Sequence, residues 1–274
     1  MDMEFLSADA SVTEPAAARI HRLHNAARFT AIAGIAYAVL FLVSFWLLTG
    51  VPRGDATQQE VMDYYESEST TVINLVALYL MPFSGIAFLW FIVTLRMWIS
   101  NRVVHPVSTL FSNIQLVSGI VYLSLLFGAA AALSVTAIAV DRGIESENVL
   151  TGLEFQQFGG SLFFVFSSRM GAMFVFTTTN IGRAHKIFPT WFVVIGLVVG
   201  FSMLLTASFN RALIVVFPLW VATVCILILL HARKRADQLI ASIDEDHANV
   251  GTPKPAASVP PDSAGTRGTA GEGP

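Results

Sequence analysis

Six apolar runs separated by short polar stretches dominate this chain of 274 residues. They cover residues 29–48, 72–98, 107–140, 158–182, 188–209 and 212–231. A hydrocarbon core about 30 Å thick is crossed by roughly 20 apolar residues of α-helix, and each run meets that length. Lipid offers no water to satisfy backbone amides and carbonyls, so a run that crosses must be helical. The chain therefore reads as all-α, a polytopic membrane helix bundle with six transmembrane helices. The third run is overlong, reaching about 50 Å at 1.5 Å per residue, so it is expected to tilt, bend near Gly128 or project from the bilayer. Two crossings in its place would each be too short.

The charge content agrees. Only 13% of residues are charged and 54% are hydrophobic, against about 25% charged in a soluble domain. A net charge of −3 with scattered basic residues leaves no footprint for nucleic acid. Cys225 is the single cysteine, which excludes an intrachain disulfide.

Basic residues alternate along the chain. Arg19, Arg22 and Arg28 precede the first run, Arg96 at the end of the second run and Arg102 beyond it flank the second connection, Arg183 and Lys186 follow the fourth, and Arg233, Lys234 and Arg235 follow the sixth. The intervening connections hold only Arg53, Arg142 and Arg211. The positive-inside rule then places both termini in the cytoplasm. Asp55, Glu60, Asp63, Glu66, Glu68, Asp141, Glu145, Glu147 and Glu154 make the opposite face acidic.

Four parts follow. Residues 1–28 form a cytoplasmic segment with a short amphipathic helix beginning at Pro15, a residue accepted in a first helical turn. Its basic side chains lie near anionic headgroups or simply orient the first span. Residues 29–231 are the transmembrane domain, 232–249 a cytoplasmic helical extension, and 250–274, rich in Pro, Gly, Ser, Thr and Ala, a disordered tail. In the first connection Asp55 followed by Gln58 resembles a helix start, and Tyr64 and Tyr65 suit the interface. No internal repeat stands out, and the first apolar run begins too late and is too long for a signal peptide.

Arg169 lies near the middle of the fourth run. An ionised side chain at that depth costs a few kcal/mol or more and marks a candidate site. Arginine cannot shed its charge. Arg169 precedes Arg183 by fourteen positions, about 21 Å along a straight helix, beyond the reach of snorkelling. No Asp or Glu occurs within any of the six runs. Neutral acceptors are expected from span three, where Ser108, Ser112, Gln115 and Tyr122 form a helical stripe with Ser118 beside it. In span two Pro82 lacks the amide that would bond the Leu78 carbonyl, and Ser84 and Gly85 follow, which suggests a kink. Spans two, three and four could thus enclose a polar cavity. Three readings stay open: an architectural tie between helices, an anion or lipid-headgroup site, or a dock for a membrane partner's acid.

Small residues supply close-packing surfaces. Gly196 and Gly200 make a G-x-x-x-G pair, and Ser167 with Gly171, and Gly34 with Ala38, repeat the spacing. They serve packing within the chain or a homodimer seam. Trp191 and Trp220 stand near Pro189 and Pro218, near opposite ends of spans five and six, and interface anchoring is the expected role of at least Trp191.

Several chemistries are disfavoured. His21, His24, His105, His185, His231 and His247 all lie at cytoplasmic ends or in the tail. None can ligate haem within the bundle or serve an intramembrane serine as base. His21 and His24 alone make a poor zinc site. Gly159-Gly160-Ser161 lacks a phosphate-loop lysine. No catalytic set, cofactor or metal is expected.

The second half resembles a family of bacterial six-span integral membrane proteins with no established activity. The likeness rests on R-M-G-A-M-F (169–174) followed by 177–179, on F-P-T-W (188–191) with Gly196, and on V-F-P-L-W-V (216–221). It covers roughly residues 165–230. It implies that Arg169 belongs to a family pattern in bacterial proteins, and together with the charge pattern the expected location is the bacterial plasma (inner) membrane, multi-pass, N-in and C-in. The favoured function is a non-enzymatic accessory or assembly factor embedded in the lipid bilayer, with Arg169 as a site for an anionic lipid, a small anion or a protein partner. The alternative is a small anion or metabolite transporter or channel using Arg169.

Overall fold

The computed structural model describes residues 16–50, 59–60, 69–100, 106–142, 149–205 and 211–250. No strand occurs among them. Five helical stretches are long and apolar enough to cross a membrane, compatible with a multi-pass membrane protein. A sixth apolar helix is shorter. The expectations for Asp55, Gln58, Tyr64, Tyr65 and most of the 250–274 tail fall outside the described residues.

Helix α1 (Ala16–Leu47) joins the segment before the first span and the span itself in one unbroken helix, closed by a 3₁₀ turn at Leu48–Gly50. The second rod is α2 (Ser69–Leu75), a π-turn at Val76–Leu80, and α3 (Met81–Ser100). Helix α4 (Pro106–Asp141) is continuous over the overlong third run. The fourth rod is α5 (Val149–Ser161), a π-turn at Leu162–Ser167, and α6 (Ser168–Ala184). Helix α7 (Thr190–Leu205) and helix α8 (Arg211–Val250) complete the order. The chain divides into two compact units, residues 1–236 and 237–274. Of the second, residues 237–250 are described and are helical.

The fourth rod starts earlier than its apolar run. Glu154, Gln156 and Gln157 end the hydrophobic pattern but not the helix, because α4 continues alongside: α5 packs on it. A Cβ on Gly159 would meet the Ala129 carbonyl oxygen at 3.0 Å and the Ala132 methyl at 3.1 Å. Such contacts between backbones are what small residues allow.

Both faces of the bundle follow from its solvent. Exposed apolar residues recur at helical spacing: Phe29, Ile32, Val39, Val43 and Trp46 on α1, and Phe83, Ile86, Trp90, Val93 and Met97 on α3. So large an apolar surface is foreign to a soluble monomer. Several hydroxyls within the rods bond back to their own helix, as Thr30 to the Ala26 carbonyl (2.8 Å) and Thr94 to that of Trp90 (2.7 Å). In lipid that keeps these donors satisfied.

Aromatic rings fill the centre. Phe88 on α3 is fully buried and meets Tyr37, Tyr122, Phe174 and Phe217 at centroid distances of 4.6, 5.3, 5.4 and 5.8 Å. Four other helices thus converge on one ring. Without a hydrophobic drive between helices in lipid, such van der Waals packing holds the bundle. Gly34 admits the Cys225 sulfur and the Phe91 ring, either of which a Cβ would strike, and this seats α8 on α1 and α3. Trp220 is buried and stacks on Phe192 at 6.1 Å, whereas Trp191 is exposed.

Candidate functional site

Arg169 sits in the first turn of α6, immediately beyond the π-turn. That turn shifts the ladder by one residue: the Ser168 amide bonds the Phe163 carbonyl, five positions back. The Phe164 carbonyl, deprived of its normal donor, receives the Ser168 hydroxyl. The Arg169 guanidinium folds back along its own helix and donates through Nη1 to the Val165 carbonyl. Single π-turns of this kind are often found at functional sites.

Arg169 is partly buried, between Phe166 and Met173, which are 56% and 37% exposed. These three residues, spaced by three and four, share one outward stripe. Ser167 and Gly171 are each two positions from Arg169, about 200° around the helix, and they face inward. Ser167 donates to the Tyr122 carbonyl at 3.2 Å, and a Cβ on Gly171 would lie 3.3 Å from the Tyr122 ring.

The inward side carries a polar layer of its own. The Tyr37 and Tyr122 hydroxyls bond each other at 2.9 Å, between α1 and α4. Ser84 of α3 donates to the Tyr37 carbonyl at 3.4 Å. Two turns away, Gln115 Nε2 donates to Thr178 Oγ1 at 2.6 Å, joining α4 to α6. The Gln115 Oε1 atom is buried with no partner among the described residues. Ser118 bonds the Gln115 carbonyl within α4 at 3.1 Å.

Three of the neutral groups named from sequence are engaged elsewhere. Gln115, Ser118 and Tyr122 are buried between helices, with side-chain partners other than Arg169. The Leu78 side chain is exposed on the outer surface of the π-turn that precedes Pro82. In that turn the Met81 amide reaches back to Val76. Widening to five-residue bonding relieves the clash a proline ring would make with the preceding turn.

The small residues seat α7 on α6. A Cβ on Gly196 would strike Thr179 Oγ1, one on Gly200 would come within 2.7 Å of the Phe176 ring, and one on Gly171 within 2.9 Å of Met203. Sequence reasoning missed Tyr37, Thr178 and Ser168 as partners. Tyr37 is an isolated tyrosine in span one, and nothing in the pattern pairs it with a residue 85 positions later. Among the described residues no three His, Cys, Asp or Glu side chains converge as metal ligands.

Searches against family models, curated proteins and solved structures find no match for this chain.

Proposed function

We propose that the chain is a six-span integral protein of the bacterial plasma membrane with both termini inside, that it catalyses no reaction, and that it acts as an accessory or assembly factor through an anion site at Arg169. The observation that carries this is a partly buried arginine in mid-rod. Its described hydrogen bond goes to its own helix, and the nearest acid on the rod, Glu154, is fifteen positions away, about 22 Å. A permanent charge so placed attracts an anionic group from outside the chain.

Six crossings are supported by the path of α7. Gly196, Gly200 and Met203 lie against Thr179, Phe176 and Gly171 in turn, so α7 runs antiparallel to α6 and away from the Arg183 end. Helix α8 then returns: Trp98, near the end of α3, meets His231 at 6.4 Å. The basic ends of these helices gather on one side, as the positive-inside rule requires of a cytoplasmic face.

A transport reading draws on the two π-turns, which interrupt rods two and four. Discontinuous helices mark substrate sites in many transporters. One experiment separates the readings. Arg169→Leu and Arg169→Lys are purified and compared with wild type for thermal stability in detergent and for anion uptake in liposomes. The accessory reading expects a folded, equally or more stable Leu variant, and no uptake by any form. Uptake by wild type that the Leu variant loses would replace it with the transport reading. Collapse of both variants without uptake would reduce Arg169 to an architectural tie.

A further inference from the structure

Three buried polar atoms lie at one level of the bundle, on three different helices. Gln115 of α4, Thr179 of α6 and Trp220 of α8 are 1%, 1% and 3% exposed. Their Oε1, Oγ1 and Nε1 atoms have no hydrogen-bond partner among the described residues. The common level follows from packing. Gln115 Nε2 donates to Thr178 Oγ1 at 2.6 Å, which sets Gln115 beside the two threonines. Trp220 meets the Phe174 ring at 6.4 Å and the Phe192 ring at 6.1 Å. Phe174 is one turn from Thr178, and Phe192 is one turn from Gly196, which faces Thr179. Because α7 runs antiparallel to α6, these two turns lie on opposite sides of the threonine level. The indole is thus bracketed at the height of Thr178 and Thr179.

The same contacts bring the three groups to one junction. Around α6, Gly171 and Thr178 border α4, whereas Phe176 and Thr179 border α7. Trp220 touches Phe174 of α6 and Phe192 of α7, so it reaches the inner side between those borders. Gln115 Oε1 is an acceptor, Trp220 Nε1 a donor, and the Thr179 hydroxyl can be either. Turning the Gln115 amide over would only exchange an unmet acceptor for an unmet donor. A bare polar atom is costly in a bundle surrounded by lipid. None of the three groups is charged, so they suit a small neutral molecule with both donors and acceptors. A buried water typically meets about three polar groups, the number available here. Thr179 stands ten positions from Arg169, about 15 Å along the helix, so the layer is separate from the arginine.

We infer that Gln115, Thr179 and Trp220 hold an ordered water between α4, α6 and α8. Trp220 Nε1 donates to it, Gln115 Oε1 accepts from it, and Thr179 Oγ1 takes a further bond. The water thereby ties α8 into the Gln115–Thr178 pair.

The test uses the full-length protein in detergent, with isotope-labelled tryptophan, and follows the indole N–H groups by NMR. The Trp220 resonance is identified by its loss in Trp220→Phe. It is expected at a hydrogen-bonded position, with magnetisation transfer from water, and it should shift in both Thr179→Val and Gln115→Leu. If Gln115→Leu does not fold, Thr179→Val, which keeps the side-chain shape, carries the comparison. Melting temperature gives a second reading. Thr179→Val should lower it by about 2–4 °C, as for loss of one hydrogen bond. A rise would show a hydroxyl that was never satisfied and would overturn the inference. So would a Trp220 proton that is not hydrogen-bonded, or one unmoved by the substitutions. A hydrogen-bonded Trp220 proton without transfer from water would replace the water with a direct bond to Gln115.

Discussion

The Tyr37–Tyr122 hydroxyl pair gives the sharpest test of single side chains. Each hydroxyl is buried, and each has the other as its described partner. Removing one by Tyr→Phe strands the other without water, at a cost of about 1–3 kcal/mol. Removing both leaves two rings of unchanged shape and should restore most of the loss. A double-mutant cycle in thermal denaturation is expected to show coupling of about 2 kcal/mol or more. Strict additivity would mean that the hydroxyls are satisfied independently. Phe88→Ala should be worse than any of these, by about 3–5 kcal/mol, because its ring touches residues from four other helices.

Among the elements, the α6–α7 hairpin is the most constrained. Gly196 faces Thr179, a β-branched side chain with little freedom to turn away, so Gly196→Ala should push α7 off α6 and cost about 1–3 kcal/mol. A methyl group added at Gly50 would meet nothing within 4 Å, so Gly50→Ala serves as the neutral control. The connecting turn holds a second lever. Lys186 adopts φ 53° just past the end of α6, with the Ile187 and Phe188 amides returning to the Gly182 carbonyl. A side chain in this left-handed conformation costs about 1 kcal/mol that glycine avoids. Lys186→Gly is therefore expected to raise the melting temperature, and a fall would show that the lysine makes a compensating contact.

For the whole molecule, the open question is whether α7 carries the chain across. Cys225 is buried, so background labelling by an impermeant maleimide should be low. Cysteines placed at Glu60 and at Lys186 in otherwise wild-type chains should label differently in intact cells: Glu60 at once, Lys186 only after permeabilisation. A third at Lys234 should match Lys186. Labelling of Lys234 from the side opposite Lys186 would mean five crossings. The apolar runs foretold the helices well because lipid imposes one requirement on every crossing, whatever its partners. They placed the fourth helix start too late, since Glu154, Gln156 and Gln157 mark the end of an apolar run and not the end of a helix.

The sequence by itself determined that the chain is helical and suited to lipid, that basic residues alternate between its connections, and that Arg169 lies deep within a span. Each of these depends on the order of residues along one helix and on the solvent around it. Only the tertiary structure decided that Gln115 pairs with Thr178 and Tyr122 with Tyr37, while Arg169 bonds back to Val165 on its own helix. A span's sequence repeats its faces every 3.6 residues but does not say which face meets which neighbour. That choice is made by close packing at Gly159, Gly171 and Gly196, between segments far apart in the chain.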